Sequence, residues 1–273
     1  MDSNYTIRSI SDIIQIGKKL PLSWFRGHPQ EYHELTPGIF RKDIKHQHTF
    51  KPDFENRIYS EFKRIAPGLS DIDLRNFDSL EWLFLMQHHG LKTRLLDWTE
   101  SILFAAYFTV EKDFKENGEL WCMYPDALNH QHGFHGMPVI GKNRNLDFLA
   151  SEYMHTNPPQ LAKELKLEDI PKCPMALLPP MKFNRMILQQ STFTIHPYPE
   201  NGKTIQDVLK KEKILVRYTI PKGVKRGIKA DLRALGINRR TLFGDLDSLS
   251  IAIIDKENIM AYNPPGPPKL GKP

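Results

Sequence analysis

The sequence predicts an α+β domain, a small curved sheet of mixed or antiparallel strands packed by several helices. Three observations point there. Residues 51–66 set Phe54, Ile58, Phe62 and Ile65 at spacings of four, four and three, the apolar stripe of a helix. Residues 213–220, KILVRYTI, alternate apolar and polar positions as a half-buried strand does. Shorter strand-like words at 22–26, 119–124 and 192–196 lie among helical segments, and no internal repeat links them.

In chain order, residues 11–20 form a short helix entered from a serine or from Asp12. The strand at 22–26 packs Trp24 and Phe25 and carries Arg26 to its end. Gly27 there lets the backbone turn sharply or approach a ligand closely. Pro52 suits the first turn of the amphipathic helix, and Pro67 with Gly68 ends it. Two apolar helices dominate the middle of the chain. The first, 80–89, is entered through Asp78 with Glu81 three residues on, a capping-box pattern, and stops at Gly90. The second is expected to begin near Asp97 or Thr99 and to run from Ile102 to Phe108; being apolar on nearly every side, it belongs inside the fold. After the strand at 119–124, a loop holds His130, His132 and His135 with no carboxylate or cysteine at ligand spacing, so no metal is assigned to it. A flap or subdomain is expected within 126–180, inside an otherwise single domain over 1–262. A helix over 228–235 ending at Gly236, and a last one started by Asp245 or Asp247, complete that domain. The tail 263–273, NPPGPPKLGKP, lacks core-forming residues and is expected to be extended or disordered.

Between the central helices stand Gln87, His88, His89, Lys92, Thr93, Arg94 and Asp97, tethered at both ends to buried segments. Polar groups held against a core are paired or used, because an unpaired buried one costs about 1–3 kcal/mol. Arg94 and Asp97 are near enough in sequence to pair, and a helix C-terminus beside the two histidines favours imidazolium. The cluster is either a ligand site or a hydrogen-bond network locking two helices together. Glu55, one position off its helix's apolar stripe, reads as a first-turn carboxylate complementing the helix dipole; in a site its partner would be Arg26 or Arg94.

The words WFRGHPQEYHELTPGIFR at 24–41 and QHHGLKTRLLDWTES at 87–101 resemble the two signatures of the FRG domain family. RMILQQSTFTIHP at 185–197 and TLFGDLDSLS at 241–250 resemble two weaker words of the same family. Lys92, Ser191 and Gly244 depart from those words, where proline, glycine and proline are common, while Arg26, Gln87, His88, Arg94 and Asp97 are kept. The resemblance implies a bacterial or phage-encoded module of antiviral conflict and does not by itself specify a reaction.

Charge and missing motifs narrow the chemistry. The net charge is +6, and Lys222, Lys225, Arg226, Lys229, Arg233, Arg239 and Arg240 crowd one stretch against a single Asp231. Such a patch meets nucleic-acid phosphate or is simply the solvated face of a helix. The longest apolar run, 102–110, is too short to cross a bilayer, no signal-peptide pattern opens the chain, and Cys122 and Cys173 make no disulfide framework. A cytoplasmic protein is expected. The sequence has no Gly-rich phosphate loop, no Gly-x-Ser-x-Gly elbow and no His-Glu-x-x-His word.

What is left is chemistry that needs positioning and charge, on a nucleotide-type ligand. The expected activity is transfer from a nucleotide, in its most specific form ADP-ribosyl transfer with NAD as substrate and no tightly bound cofactor. Arg26 would hold the diphosphate, Ser191 and Thr192 would contact ribose, and Asp245, Asp97 or Glu55 would stabilise the cationic sugar. His88 and Arg94 complete the expected catalytic set, and Gln87, His89, Thr93 and Gln189 the ligand-binding set. The arginine–serine–acid order is similar in plan to ADP-ribosyltransferases, an analogy of order and residue type independent of the FRG resemblance. Two alternatives come from other classes. One is a nucleic-acid-binding or sensor module using Lys225, Arg226, Lys229, Arg233, Arg239 and Arg240; the other is a nuclease with His88 as general acid or base and Arg94 on the phosphate.

Overall fold

The computed structural model describes residues 5–32, 34–41, 52–130, 174–197, 204–209 and 215–262. Among them, seven strands make one sheet: β1 (Tyr5–Thr6), β2 (Trp24–His28), β3 (Leu95–Thr99), β4 (Gly118–Met123), β5 (Met175–Leu177), β6 (Ser191–Ile195) and β7 (Leu215–Ile220). Their order is β1-β7-β4-β2-β3-β6-β5. β1 runs parallel to β7 and every other neighbouring pair is antiparallel, so the sheet is mixed, as predicted. The helices are α1 (Ile10–Lys19), α2 (Pro52–Ile65), α3 (Ser79–His88), α4 (Ile102–Val110), α5 (Pro125–His130), α6 (Asn184–Leu188), α7 (Ile205–Leu209), α8 (Lys222–Ala234), α9 (Arg239–Phe243) and α10 (Leu246–Tyr262).

Strand alternation divides the side chains between two faces. On one face lie two apolar bodies. The first gathers Leu83 and Phe84 of α3, Met186 of α6, Leu95 of β3 and Phe193 and Ile195 of β6. The second gathers Ile13 of α1, Ala105 and Ala106 of α4, Ile228 of α8, Phe25 of β2 and Leu120 of β4. The opposite face packs Trp24, Leu96, Trp98, Trp121 and Met123 against Leu128 of α5 and Ile205 and Leu209 of α7.

The local signals explain most of the helix ends. Asp78 accepts the Glu81 N–H at 2.8 Å and Glu81 accepts the Asp78 N–H at 3.0 Å, closing the expected capping box of α3. Gly90 follows the last turn at φ 83°, a conformation that favours glycine. Ser9 caps α1 through the Asp12 N–H at 3.2 Å. α4 does not begin at Asp97 or Thr99. Residues 95–99 are strand β3, paired with β6 at all five positions, and Ser101 caps the helix. The five residues LLDWT divide between cores on two sides of the sheet, which a helix turn would not allow.

Gly27 makes a close approach, though to a helix rather than a ligand. A Cβ there would stand 1.9 Å from the Ala105 carbonyl oxygen and 2.5 Å from Thr109 Oγ1, so α4 lies directly on the β2 backbone. His132, His135, most of the flap expected within 126–180 and the tail 263–273 fall outside the described residues. Among the described residues no helix is long and apolar enough to cross a membrane.

Candidate functional site

β3 stands fifth in the seven-strand order, and four of its five residues are buried. Asp97, in the middle, is the exception: its side chain is 53% exposed. It shares a face with Leu95 and Thr99, so the sheet is open to water between the two apolar bodies of that face. Gln87 Nε2 donates to Asp97 Oδ2 at 3.0 Å, while Gln87 Oε1 accepts from Thr93 Oγ1 at 2.5 Å. Thr93, fully buried, also accepts the Leu95 N–H at 3.1 Å. The end of α3 is thus wired to the carboxylate.

Arg26 reaches the same aspartate from β2. The two strands pair at Phe25↔Thr99 and part beyond it, and the Arg26 side chain fills the fork. Its Nη1 donates to the Asp97 carbonyl at 2.5 Å and lies 3.7 Å from Asp97 Oδ2, and its Nε donates to His28 Nε2 at 2.8 Å. Burial lowers the Arg26 pKa to about 10, with Asp97 opposing, which leaves it charged at neutral pH. Because His28 Nε2 accepts, its proton sits on Nδ1, 3.6 Å from Glu119 Oε2. Burial pushes His28 down to about 4 against the pull of Glu119. Glu119 is fully buried and also receives the Tyr32 N–H at 3.2 Å, Trp121 Nε1 at 3.3 Å and Arg217 Nη1 at 3.3 Å. Sequence reasoning missed His28, Glu119 and Arg217. One signal was available: His28 sits two residues beyond Arg26 on the same strand face.

Arg94 and Glu55 belong to the interior. Arg94 is fully buried, and its Nε donates to Glu55 Oε1 at 2.9 Å, its Nη2 to Glu55 Oε2, and its Nη1 to the His196 carbonyl at 3.1 Å. The expected Arg94–Asp97 pair therefore does not form: positions three apart on an extended segment face opposite sides. Glu55 is 1% exposed, so it is not a surface carboxylate serving the helix dipole. This pair ties α2 to the start of β3 and the end of β6, which takes Arg94 out of the catalytic set and Glu55 out of the ligand-binding set.

The remaining candidates separate. His88, half-buried, stacks on Phe183 with centroids 5.0 Å apart and planes at 24°. Burial lowers its pKa, His89 and Arg185 adding to the effect and Asp245 opposing it, so the imidazolium expected from the helix end is disfavoured. His89 is exposed, its ring 6.4 Å from Phe62. Asp245 is exposed and starts α10 as expected, accepting the Ser248 N–H at 2.6 Å. Its pKa is lowered by its hydrogen bonds to Ser248, with Arg185 and Arg239 assisting. Ser191 is buried opposite Thr99. Thr192 points to the tryptophan face with no exposure, out of reach of a ribose in the Asp97 opening. The Gln189 carbonyl accepts from Thr99 Oγ1 at 2.7 Å, and its Nε2 is buried without a partner.

Half of the six-residue basic patch is consumed inside the protein. Lys225 is fully buried and donates to the carbonyls of Pro29 at 2.8 Å, Lys112 at 3.0 Å, Asp113 at 2.9 Å and Glu116 at 3.3 Å. Lys229 donates to the Glu111 carbonyl at 2.9 Å, and Arg239 pairs with the Glu111 carboxylate. Apart from Pro29, which follows β2, these acceptors belong to the turn after α4, whose carbonyls have lost their helical partners. Arg226, Arg233 and Arg240 remain exposed. Arg185, another residue missed from sequence, sits half-buried with its Cζ 4.5 Å from the Phe243 ring centroid.

The fold and this opening define a mixed α/β domain with an exposed carboxylate on an inner strand of its sheet, held by Gln87 and approached by Arg26. Among the described residues no group of three His, Cys, Asp or Glu could hold a metal ion. Residues 22–118 of the chain match the FRG domain. That match contains Arg26, Gln87, Arg94 and Asp97, while Arg185, Ser191 and Asp245 lie beyond it. No curated protein and no solved structure matches the chain.

Proposed function

We propose that the opening over Asp97 is the reactive centre of a nucleotide-using transferase, with ADP-ribosyl transfer from NAD as its reaction. The observation that supports this reading is the exposure of Asp97 on a central strand whose other residues are buried. An exposed carboxylate between two apolar bodies is where a ligand could meet a fixed charge on a rigid strand. Three acids were candidates for stabilising a cationic sugar. Glu55 is spent on Arg94 and Asp245 caps α10, which leaves Asp97.

In the reaction, the bond between ribose C1′ and nicotinamide breaks with its electron pair leaving on nicotinamide. The acceptor's nucleophile then bonds to C1′ and gives up its proton. Positive charge develops on the sugar meanwhile, and a fixed carboxylate beneath it lowers that barrier. Gln87 holds Oδ2 and Arg26 holds the Asp97 carbonyl, so the carboxylate is oriented from both sides. Arg26, with its Nε and Nη1 engaged, positions Asp97 rather than serving first as the diphosphate holder. The nucleic-acid reading is less favoured, since Lys225, Lys229 and Arg239 are committed within the chain.

The test is release of nicotinamide from NAD by the purified chain, followed by chromatography, with labelled NAD used to detect transfer. Asp97→Asn is expected to slow release by about 10²–10³-fold while leaving the unfolding temperature in place. A wild-type protein that neither releases nicotinamide nor labels an acceptor ends this reading.

A further inference from the structure

We infer that Arg185 is the phosphate-binding group of this opening, and that the ligand is a nucleoside diphosphate lying with its phosphates toward Arg185 and its sugar toward Asp97. The orientation rests on the transfer reading above; the anion site does not. The other arginines near the opening are engaged: Arg26 with His28 and the Asp97 carbonyl, Arg94 with Glu55, Arg239 with Glu111. Arg185, by contrast, has no hydrogen-bond or ion-pair partner for its guanidinium among the described residues. It is seated on Phe243, 4.5 Å from the ring centroid, a contact that holds the group without using its N–H donors. Asp97 and Asp245 act on it electrostatically without reaching ion-pair distance, so it is flanked and not neutralised. Gln189, four residues further along the same helical turn, keeps a buried Nε2 with no partner, a second donor in waiting.

The size of the anion follows from the neighbours. Arg239 rests on the same ring, 4.7 Å from its centroid, but its charge is met by the Glu111 carboxylate, so the unspent positive charge is that of Arg185. A guanidinium with its N–H donors unspent matches the oxygens of a phosphate bidentately, and the second phosphate of a diphosphate adds charge to that contact. A nucleic-acid strand fits less well, because Asp97 and Asp245 flank a single unspent guanidinium and the further phosphates of an extended polyanion would run against them.

Isothermal titration of the full chain with ADP, inorganic pyrophosphate and adenosine tests this. ADP is expected to bind best and pyrophosphate more weakly. Arg185→Gln should weaken both by at least about tenfold and leave any adenosine binding unchanged. Phe243→Leu keeps the charge but removes its seat, and is expected to weaken ADP severalfold; Arg185→Gln should unfold as the wild type does. Equal ADP affinity in wild type and Arg185→Gln overturns the inference, as does a wild type that binds neither ADP nor pyrophosphate. Arg185-dependent ADP binding without nicotinamide release from NAD keeps the anion site and removes the transfer reading. Nicotinamide release with an ADP affinity indifferent to Arg185 does the reverse.

Discussion

Arg94 and Asp97 are three positions apart and do opposite work. Arg94 makes a bidentate pair with Glu55 where neither group meets water, so removing one leaves the other buried without its counter-ion. Arg94→Met or Glu55→Ala should each cost about 3–5 kcal/mol in urea unfolding, and the double change Arg94→Met with Glu55→Leu should recover much of that loss. Asp97→Asn should stay within about 0.5 kcal/mol, as exposed positions do. An Arg94→Met protein of wild-type stability would show that the pair is not a structural clamp. These roles were only partly legible beforehand. The dense polar word around Gln87 to Asp97 announced itself, but Glu55 lies 39 residues before Arg94 and nothing local names it as the partner. Lys225 hid for the same reason. Its four carbonyl acceptors come from residues 29 and 112–116, so a buried lysine looked like one more surface cation.

At the level of elements, the contact of α4 with β2 sets the local geometry. Gly27 meets the helix backbone, and Thr109 Oγ1 bridges the Ala105 carbonyl at 2.9 Å and the Glu119 carbonyl at 3.2 Å. Gly27→Ala must push α4 off the sheet and is expected to cost at least about 3 kcal/mol. Gly223 and Gly227, inside α8, border open space: a Cβ added at either would meet nothing within 4 Å. Alanine at either position should raise stability by about 0.5–1 kcal/mol in thermal unfolding. A destabilised Gly223→Ala would show that something other than helix propensity holds that position. Helices with caps or a clear apolar stripe could be read in advance: α1, α2, α3 and the start of α10. β3 could not. Asp97 and Thr99 both look like helix caps, and the true cap, Ser101, sits just beyond them. What makes LLDWT a strand is β6, nearly a hundred residues downstream, and no window of sequence contains both.

For the whole molecule, the sheet is not closed by the matched FRG segment. Residues 22–118 supply β2 and β3 but only the first residue of β4, while β6 and β7 come from later in the chain. β3 pairs with β6 over five positions and with β2 at one. A fragment of residues 22–118 is therefore expected to lack a cooperative melt by circular dichroism, where the full chain shows one. A sharp two-state transition in the fragment would refute this. The fold class was readable because it depends on composition and periodicity. The strand order was not, because it depends on which distant segments bury each other's apolar faces.

The outermost strands of that sheet are also its shortest, two residues in β1 and three in β5. Among the described residues each edge strand offers only a short run of backbone amides to a foreign extended chain. Edge strands this short work against fibre-like growth of the folded protein.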